Sequence, residues 1–253
     1  KAIRIYKHGG PEVLKYEDVK IGTVGPDEVR LRHKAIGLNY IDVYQRTGLY
    51  PIGDLPKTLG MEAAGVIEEI GANVKDFKIG DRVAYAMGLG SYSEERIWGT
   101  DRLVKLPDSI EDQEAAAMML QGMTAYYLLN RTYKVRSGDT ILIYAAAGGV
   151  GLIVCQWAKH LGATVIGCVG SEKKAVLAKA YGCDHPILYR EENLVERVKE
   201  ITSGEGVPVV YDSIGKTTFD TSLDCLRPFG LMVSFGNASG PVEPYNIAAL
   251  GPR

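Results

Sequence analysis

The sequence predicts an α/β chain in which a mostly β first half precedes a doubly wound parallel sheet. Three observations lead to this prediction. From residue 139 onward, apolar strand-like runs alternate with helix-like runs, which is the pattern of parallel βαβ units. Residues 1 to about 107 instead carry short β-like runs separated by Gly, Pro and Asp. A loop rich in Gly and Ala joins the first strand of the second half to the helix that follows it.

The second half is predicted to contain five parallel strands. The first, DTILIYA, is an apolar run of the kind that is buried on both faces of a parallel sheet. The others are ATVIGCV, PILY, VPVVYDS and GLMVSFG, with helices VGLIVCQWAKHLG, SEKKAVLAKAYG, ENLVERVKEITSG and TTFDTSLDCL between them. In the first half, the predicted strands include EVRLRHKAIGL, AAGVIEEIG, DRVAYAM and DRLVKLP. The segment SIEDQEAAAMMLQGMTAYYLL is predicted to form one or two linking helices, and we place the domains at residues 1–112 and 113–253.

The composition argues against several classes of protein. Of the 253 residues, 46% are hydrophobic and 24% are charged, as in ordinary globular proteins. A formal net charge of −2 gives no electrostatic reason to expect a nucleic acid or a membrane surface as partner. No apolar stretch is long enough to predict a membrane span or a signal peptide, so a cytoplasmic protein is expected. The four cysteines show no CxxC spacing and predict reduced, structural thiols, and no metal site is expected.

The loop between DTILIYA and VGLIVCQWAKHLG has the form A-x-G-x-x-G. In a dinucleotide-binding loop of this form, Ala146 takes the tight turn, Gly148 lets the backbone approach a pyrophosphate, and Gly151 permits close helix packing. Gly149 and Val150 complete the loop at the helix N-terminus, whose free N–H groups and positive dipole end attract phosphate. Strand, loop, helix and next strand together predict a Rossmann domain that binds a dinucleotide. A tight turn without a ligand is the alternative.

The end of the second strand distinguishes NAD from NADP, because NAD enzymes place an acidic residue there against the ribose 2′-hydroxyl. In this chain Gly170 and Ser171 occupy the tip, and Lys174 is close enough in sequence to contact a 2′-phosphate. This pattern favours NADPH. Against it, Glu172 is adjacent and could be the acidic residue of an NAD site, and a lysine pair that opens a helix is often only solvated surface.

These segments carry a family resemblance. The block GDTILIYAAAGGVGLIVCQWAK and the first-half segments HGGPEVL, KAIGLNYIDVYQRTGLYP, LGMEAAGVIEEIG and GDRVAY resemble the quinone oxidoreductase (zeta-crystallin-like) branch of the medium-chain dehydrogenase/reductase superfamily. The resemblance covers essentially the whole chain and implies a GroES-like substrate domain before the Rossmann domain, and a homodimer. It also implies a further C-terminal segment. We therefore expect residues 1–253 to be part of a longer chain, since five strands are predicted where a doubly wound sheet has six.

The resemblance further implies that catalysis does not use zinc. Where the zinc-dependent alcohol dehydrogenases have a cysteine ligand, this chain has Asn39, and where they have Gly-His-Glu it has Gly60, Met61 and Glu62. Without the thiolate and the imidazole, no open tetrahedral site remains that could polarise an alkoxide. Glu62 is then expected to be a structural carboxylate.

By the same resemblance, two sets of residues are expected to form the site. The set expected at the nicotinamide end of the cleft between the domains is Asn39, Tyr40, Ile41, Asp42, Tyr44, Thr124 and Tyr127, with Tyr50 over the substrate. The remaining cofactor-binding candidates are Tyr189, beside the adenosine phosphate, and Ser213, Phe235 and Gly236. The catalytic candidates are Asn39, Asp42, Tyr44, Tyr50 and Thr124.

Several of these roles have alternatives. Asp42 could be a general acid, but an Asp in NYIDVY is more typical of a residue that caps a helix starting there. The hydroxyls of Tyr44 and Tyr50 could donate a proton to a quinone oxygen, although many tyrosines serve only as packing. Tyr189 could likewise be a surface aromatic at the end of a strand.

The reaction that these features predict is hydride transfer from NADPH to a quinone without zinc, in which the protein positions two π-systems and excludes water. An NADPH-dependent enoyl or alkenal reductase of the same superfamily is an alternative that the sequence does not separate. A second alternative is a non-enzymatic, crystallin-like NADPH-binding protein, including one associated with RNA. The absence of a basic stripe argues against nucleic acid.

Overall fold

A computed structural model describes residues 1–251, and these residues form two compact units. The first unit is Lys1–Leu120 and the second begins at Gln121. The division between them falls inside the long helix that the sequence predicted as a link.

The first unit is mostly β, as predicted. Within residues 1–120, the strands are β1 (Ala2–Ile5), β2 (Lys15–Glu17), β3 (Glu28–Ile36), β4 (Lys57–Thr58), β5 (Glu62–Ile70), β6 (Arg82–Ala86), β7 (Glu95–Gly99) and β8 (Val104–Lys105). Helix α1 (Tyr40–Thr47) follows β3, and helix α2 (Asp112–Tyr127) begins in this unit. Strands β7-β3-β5-β6-β8 form an antiparallel sheet, and β2-β1-β4 form a smaller one.

The larger sheet buries one apolar face and packs small residues on the other. Leu31 of β3 pairs with Ile67 of β5, and both side chains are buried in the same cluster. On the other face, Ala64 and Ala84 pack against Ala115 of α2. Since alanine side chains are short, the helix can lie close to the strands there. This close approach brings the middle of α2 next to the start of β5.

The second unit contains the five predicted parallel strands. They are β9 (Thr140–Ile143), β10 (Thr164–Val169), β11 (His185–Leu188), β12 (Val207–Asp212) and β13 (Leu226–Ser234), in the order β11-β10-β9-β12-β13. The helices between them are α3 (Gly149–His160), α4 (Glu172–Ala180), α5 (Leu194–Ile201) and α6 (Phe219–Asp224). The Rossmann-type sheet and the strand count predicted from the sequence are confirmed.

Both faces of this sheet are covered, which explains the continuous apolar run of β9. Ile141 and Ile143 belong to the cluster that includes Val154 of α3. Leu142, which points to the opposite face, belongs to the cluster that includes Val198 of α5. A strand buried on both faces has no position at which a polar side chain would be solvated.

The linking segment, predicted to form one or two helices, forms one α-helix that passes into a wide π-type turn at Leu128–Thr132. One strand prediction needs correction in detail. The run DRLVKLP contributes only the two-residue strand β8, since Thr100–Arg102 forms a 3₁₀ turn. Among the described residues, no helix is both long enough and apolar enough to cross a membrane.

Candidate cofactor-binding and active site

The Gly/Ala-rich loop makes a tight turn directly after β9. Ala145 has a left-handed backbone with φ of 51°, and its carbonyl accepts the Gly148 N–H at 2.7 Å. This bond closes a turn from Ala145 to Gly148, and Ala146 is its second residue, as predicted from the sequence. The positive φ lies one residue earlier, at Ala145. Ala146 is fully buried and its N–H donates to the Cys168 carbonyl at 3.2 Å, which ties the loop to β10.

The glycines of the loop are required by close packing. A Cβ on Gly151 would overlap the carbonyl oxygen of Ala145 and lie 2.7 Å from that of Ala146. Both of these are backbone atoms, so they cannot move aside cheaply. Gly148 is the N-cap of α3, and the helix starts at Gly149. The close helix packing predicted for Gly151 agrees with this geometry, and the start of α3 is a helix N-terminus of the kind that attracts anions.

A cavity of about 630 Å³ opens at the carboxyl ends of four parallel strands. This is the edge of an open α/β sheet where ligands bind, and the volume is within the range of cofactor sites. The lining after β9 and β10 is Tyr144, Ala145, Ala147, Gly148, Cys168, Val169, Gly170 and Lys174. The lining after β11 and β12 is Tyr189, Asn193, Leu194, Ile214, Thr217, Thr218 and Thr221.

Of the residues predicted to distinguish NADP from NAD, some line the cavity and others lie outside its lining. Lys174 and Tyr189 both line the cavity, beside Gly170. The Tyr189 hydroxyl would lie 3.1 Å from a Cβ on Gly170, so the ring packs over this glycine although 49% of the residue is exposed. Ser171 is the N-cap of α4 and lies outside the lining, as does Glu172. A cation and a phenol therefore line the same cavity after β10 and β11.

Apart from Tyr189, the residues in the cavity wall that follows β11 and β12 were not predicted from the sequence. Asn193 caps α5 by accepting the N–H groups of Val195 and Glu196. Thr217 and Thr218 lie just before α6. Their position after the ends of two predicted strands was the available indication, because parallel strands all present their carboxyl ends at one edge.

Asp212, the last residue of β12, holds this wall in place. Its buried carboxylate accepts four hydrogen bonds: from the Ile214 and Gly215 N–H groups at 2.7 and 3.0 Å, and from the Thr218 and Ser222 hydroxyls at 2.6 and 2.8 Å. All four lone-pair directions of the carboxylate are thereby used.

Three predicted cofactor residues lie next to one another but outside the cavity lining. Ser213 follows β12, and Phe235 and Gly236 follow β13. The Phe235 N–H donates to the Asp212 carbonyl at 2.9 Å, and a Cβ on Gly236 would lie 2.8 Å from the Ser213 carbonyl oxygen. The segments after these two strands are therefore packed closely together. Gly149, Val150 and Gly151 also lie behind the lining, in the first turn of α3.

In the first unit, the candidates from Asn39 to Tyr50 gather around α1. Asn39 is the N-cap, and its backbone N–H donates to the Asp42 carboxylate at 2.8 Å. Asp42 thus closes a capping interaction from the third helical position, which agrees with the capping interpretation rather than with a free general acid. The Asn39 side-chain amide donates to Glu62 at 2.6 Å, and the second Glu62 oxygen accepts the Leu120 N–H at 2.6 Å.

The buried carboxyl groups of this cluster have altered acidity. Burial raises the pKa of Glu62, against the lowering effect of its bonds from Leu120 and Asn39. Burial also raises the pKa of Asp42, opposed by the bonds from Tyr92 and Asn39. Glu62 is a hydrogen-bonded structural carboxylate, as its sequence context predicted.

Three tyrosines on and after α1 form an aromatic cluster. The ring centroids of Tyr40 and Tyr44 are 5.2 Å apart in an edge-to-face arrangement, and those of Tyr44 and Tyr50 are 4.9 Å apart. Tyr44 is buried, whereas Tyr40 is exposed. Ile41 is half-buried on the same helix. The other two candidates, Thr124 and Tyr127, lie on the part of α2 that belongs to the second unit.

A β-rich unit followed by a parallel sheet with this loop defines the class of two-domain, dinucleotide-dependent dehydrogenases and reductases. Two family models match the chain accordingly. The one described as alcohol dehydrogenase GroES-like domain matches residues 25–108, and the one described as zinc-binding dehydrogenase matches residues 149–252.

Individual relatives narrow the class. The chain is 55% identical to a quinone oxidoreductase of Pseudomonas aeruginosa, over 100% of this chain and 78% of the relative. It is 50% identical to a 2-haloacrylate reductase of a Burkholderia species, over 98% of this chain and 77% of that protein. The crystal structure of Escherichia coli quinone oxidoreductase complexed with NADPH superposes with a TM-score of 0.97 at 50% identity, covering 99% of this chain and 77% of that one. The chain belongs to the quinone oxidoreductase family of the medium-chain dehydrogenases/reductases.

The zinc ion that the second family description implies does not fit the residues present. Within residues 1–251, no three His, Cys, Asp or Glu side chains are grouped as a metal site. Asn39 and Glu62 stand where the zinc-dependent enzymes have ligands, and here the Asn39 amide donates a hydrogen bond to Glu62. The second Glu62 oxygen accepts a hydrogen bond from a backbone N–H. An amide and a thioether, from Asn39 and Met61, do not replace a thiolate and an imidazole as zinc ligands.

Proposed function

We propose that this protein is an NADPH-dependent quinone oxidoreductase that works without a metal ion. The cavity at the carboxyl edge of the parallel sheet carries this proposal, because it places Lys174 and Tyr189 together beside the dinucleotide loop. The relatives named quinone oxidoreductase support the substrate class. The NADPH complex of one of them supports the cofactor.

The residues of this chain fit the dinucleotide. The N–H groups at the start of α3 and the backbone of Gly148 bind the pyrophosphate, which approaches closely because Gly148 has no side chain. The Lys174 ammonium and the Tyr189 hydroxyl bind the 2′-phosphate, with Ser171 nearby at the N-cap of α4. Ala146, Gly149, Val150 and Gly151 shape the loop, and Ser213, Phe235 and Gly236 form the adjoining segments.

The first unit supplies the substrate side of the proposed site. When bound, NADPH supplies the hydride that the electron-poor quinone ring accepts. Tyr40 and Tyr50, which pack on the buried ring of Tyr44, offer aromatic surface that orients a flat ring and excludes water. Asn39, Ile41 and Asp42 hold this segment, and Thr124 and Tyr127 complete the proposed site. We assign substrate binding to residues 1–112 and cofactor binding to residues 113–253.

A second candidate function is the reduction of an activated carbon–carbon double bond. The 50% identity to a 2-haloacrylate reductase favours it, because an acrylate is an electron-poor alkene. The same cofactor site and the same aromatic cluster would serve either acceptor. The two functions differ only in the acceptor that is reduced fastest.

An assay of NADPH oxidation against a panel of quinones, enals, a 2-haloacrylate and simple alcohols tests the function. We expect the highest kcat/KM with a quinone and no turnover of alcohols. A chelator such as EDTA is expected to leave the rate unchanged, since the described residues provide no zinc ligand set. Stoichiometric zinc in elemental analysis, with turnover lost when it is removed, would contradict the metal-free mechanism. Preference for the 2-haloacrylate would establish the second candidate.

Cofactor preference gives a separate prediction. We expect NADPH to bind at least about 10-fold more tightly than NADH, which corresponds to about 1.4 kcal/mol. Lys174→Ala should reduce this ratio towards one by weakening NADPH binding, because the contact proposed for its ammonium is with the 2′-phosphate, which NADH lacks. Lys173→Ala removes a neighbouring exposed lysine that does not line the cavity and is the matched control. Equal affinities of the unsubstituted protein for the two cofactors, measured by calorimetry, would refute the assignment.

We further propose that the protein is a cytoplasmic homodimer. The near-neutral net charge and four buried, unpaired cysteines support an intracellular, reducing environment. Analytical ultracentrifugation of the full-length protein tests the dimer, and a species with the mass of one chain at micromolar concentration would contradict it.

A further inference from the structure

Tyr92, which lies between β6 and β7, is fixed at both backbone groups. Its N–H donates to the Leu59 carbonyl at 2.8 Å, and its carbonyl accepts the Ile3 N–H at 2.7 Å. The ring lies over Gly60, where a Cβ would overlap Cδ1 of the ring and come within 2.8 Å of Cε1. Backbone and ring together therefore determine where the hydroxyl points.

The hydroxyl of Tyr92 donates to Oδ2 of Asp42 at 2.7 Å. The same oxygen accepts the Asn39 N–H at 2.8 Å, whereas Oδ1 is buried and has no hydrogen-bond partner. Only 5% of Asp42 is exposed, so these two donors provide the hydrogen bonding that compensates for burial of the carboxylate. Burial, together with the bond to Asp42, raises the pKa of Tyr92, which keeps the hydroxyl protonated as a donor.

The bond from Tyr92 to Asp42 anchors helix α1, which depends on tertiary contacts for its stability. Helix α1 has eight residues, and an isolated helix of that length is not stable in water. Its first turn is held by Asn39, whose side chain binds Glu62, and by Asp42, which binds Tyr92. The same turn carries Tyr40, whose ring meets Tyr44.

We propose that Tyr92 is a positioning residue for the reduction, which acts through Asp42 to fix the first turn of α1 and the tyrosine rings that follow. The inference rests on the proposed function. Tyr92 does not line the cofactor cavity and is not one of the tyrosines proposed to contact the quinone, so the proposed effect on turnover is indirect. Its removal should lower the rate of the chemical step more than it weakens cofactor binding.

The test is Tyr92→Phe in the full-length protein, with rates expressed per site that binds NADPH in a titration. We expect kcat with the best quinone to fall about 10-fold, because a hydrogen bond to a charged group is lost. The KM for the quinone should change less than kcat, and the Kd for NADPH should stay within about 2-fold. Hydrogen exchange of the Asn39 amide should become about 10-fold faster, a readout that does not depend on activity.

Two further variants separate positioning from a general structural role. Tyr6→Phe removes an O–H that donates to Glu17 at the same 2.7 Å, but at the exposed surface, and should leave kcat unchanged. In an Asp42→Asn background, Tyr92→Phe should lower kcat by less than about 2-fold, because no buried charge then requires the second hydrogen-bond donor.

The outcomes are distinct. An unsubstituted protein that reduces no member of the acceptor panel would remove the proposed function itself. A protein that turns over quinone, in which Tyr92→Phe keeps kcat per site or lowers it equally in both backgrounds, overturns the inference alone. Failure of Tyr92→Phe to fold would also overturn it, because the ring and its packing on Gly60 are retained in that variant and the hydroxyl would then be structural.

Discussion

Gly151→Ala is expected to abolish most of the affinity for NADPH. The added methyl group would overlap the carbonyl oxygen of Ala145 and crowd that of Ala146, so the loop must move away from α3. This displaces the N–H groups that bind the pyrophosphate. We expect Kd for NADPH to rise at least about 100-fold, or about 2.7 kcal/mol, and the unfolding free energy of the second unit to fall by about 1–3 kcal/mol.

Gly122→Ala is the matched control for this substitution. Gly122 lies within α2, and a Cβ there would have no atom within 4 Å outside its own helix. The same chemical change should leave Kd for NADPH within about 2-fold and raise helix stability by up to about 1 kcal/mol. Fluorescence titration and chemical denaturation measure the two quantities. Normal NADPH affinity in Gly151→Ala would show that the close approach of loop and helix is not needed for binding.

Asp212→Ala is expected to have the largest effect on stability. The substitution removes the acceptor of four hydrogen bonds and leaves the Thr218 and Ser222 hydroxyls and two backbone N–H groups without it. Leaving several buried donors unsatisfied should lower the unfolding free energy by about 3–5 kcal/mol. For a protein of this size, the melting temperature should fall by roughly 10 °C. NADPH binding should weaken as well, because Thr218 lines the cavity.

Glu205→Ala serves as the comparison for Asp212→Ala. It removes a carboxylate from an exposed position after α5 in the same unit, and the melting temperature should change by less than about 2 °C. Calorimetric scans of the three proteins decide the point. If Asp212→Ala has the same melting temperature as the unsubstituted protein, the cavity wall after β12 does not depend on this carboxylate.

The cofactor half of the site was largely predictable, because its residues follow from local rules. Gly148 and Gly151 stand at fixed spacings in one loop, and Lys174 lies near the tip of the next strand. The motif places Ala146 in the turn but does not say which residue of the loop adopts the positive φ, which is Ala145. The role of Asp212 was not predicted, since a carboxylate at the end of an apolar strand does not reveal its partners.

The parallel sheet, the dinucleotide loop and the departure from zinc ligands could be predicted from the sequence, because each depends on residue types at short, fixed spacings. The contacts between distant residues around α1 could not be predicted in this way. Asn39 and Glu62, which are hydrogen-bonded, lie 23 residues apart in the sequence. Glu62 and Leu120 are separated by 58 residues, and Asp42 and Tyr92 by 50 residues. The register of β5 and the packing of α2 and of the segment that holds Tyr92 create these contacts. No local pattern encodes a register between strands or the packing of a helix on them, so the buried polar network that holds the proposed substrate helix is visible only in the folded chain.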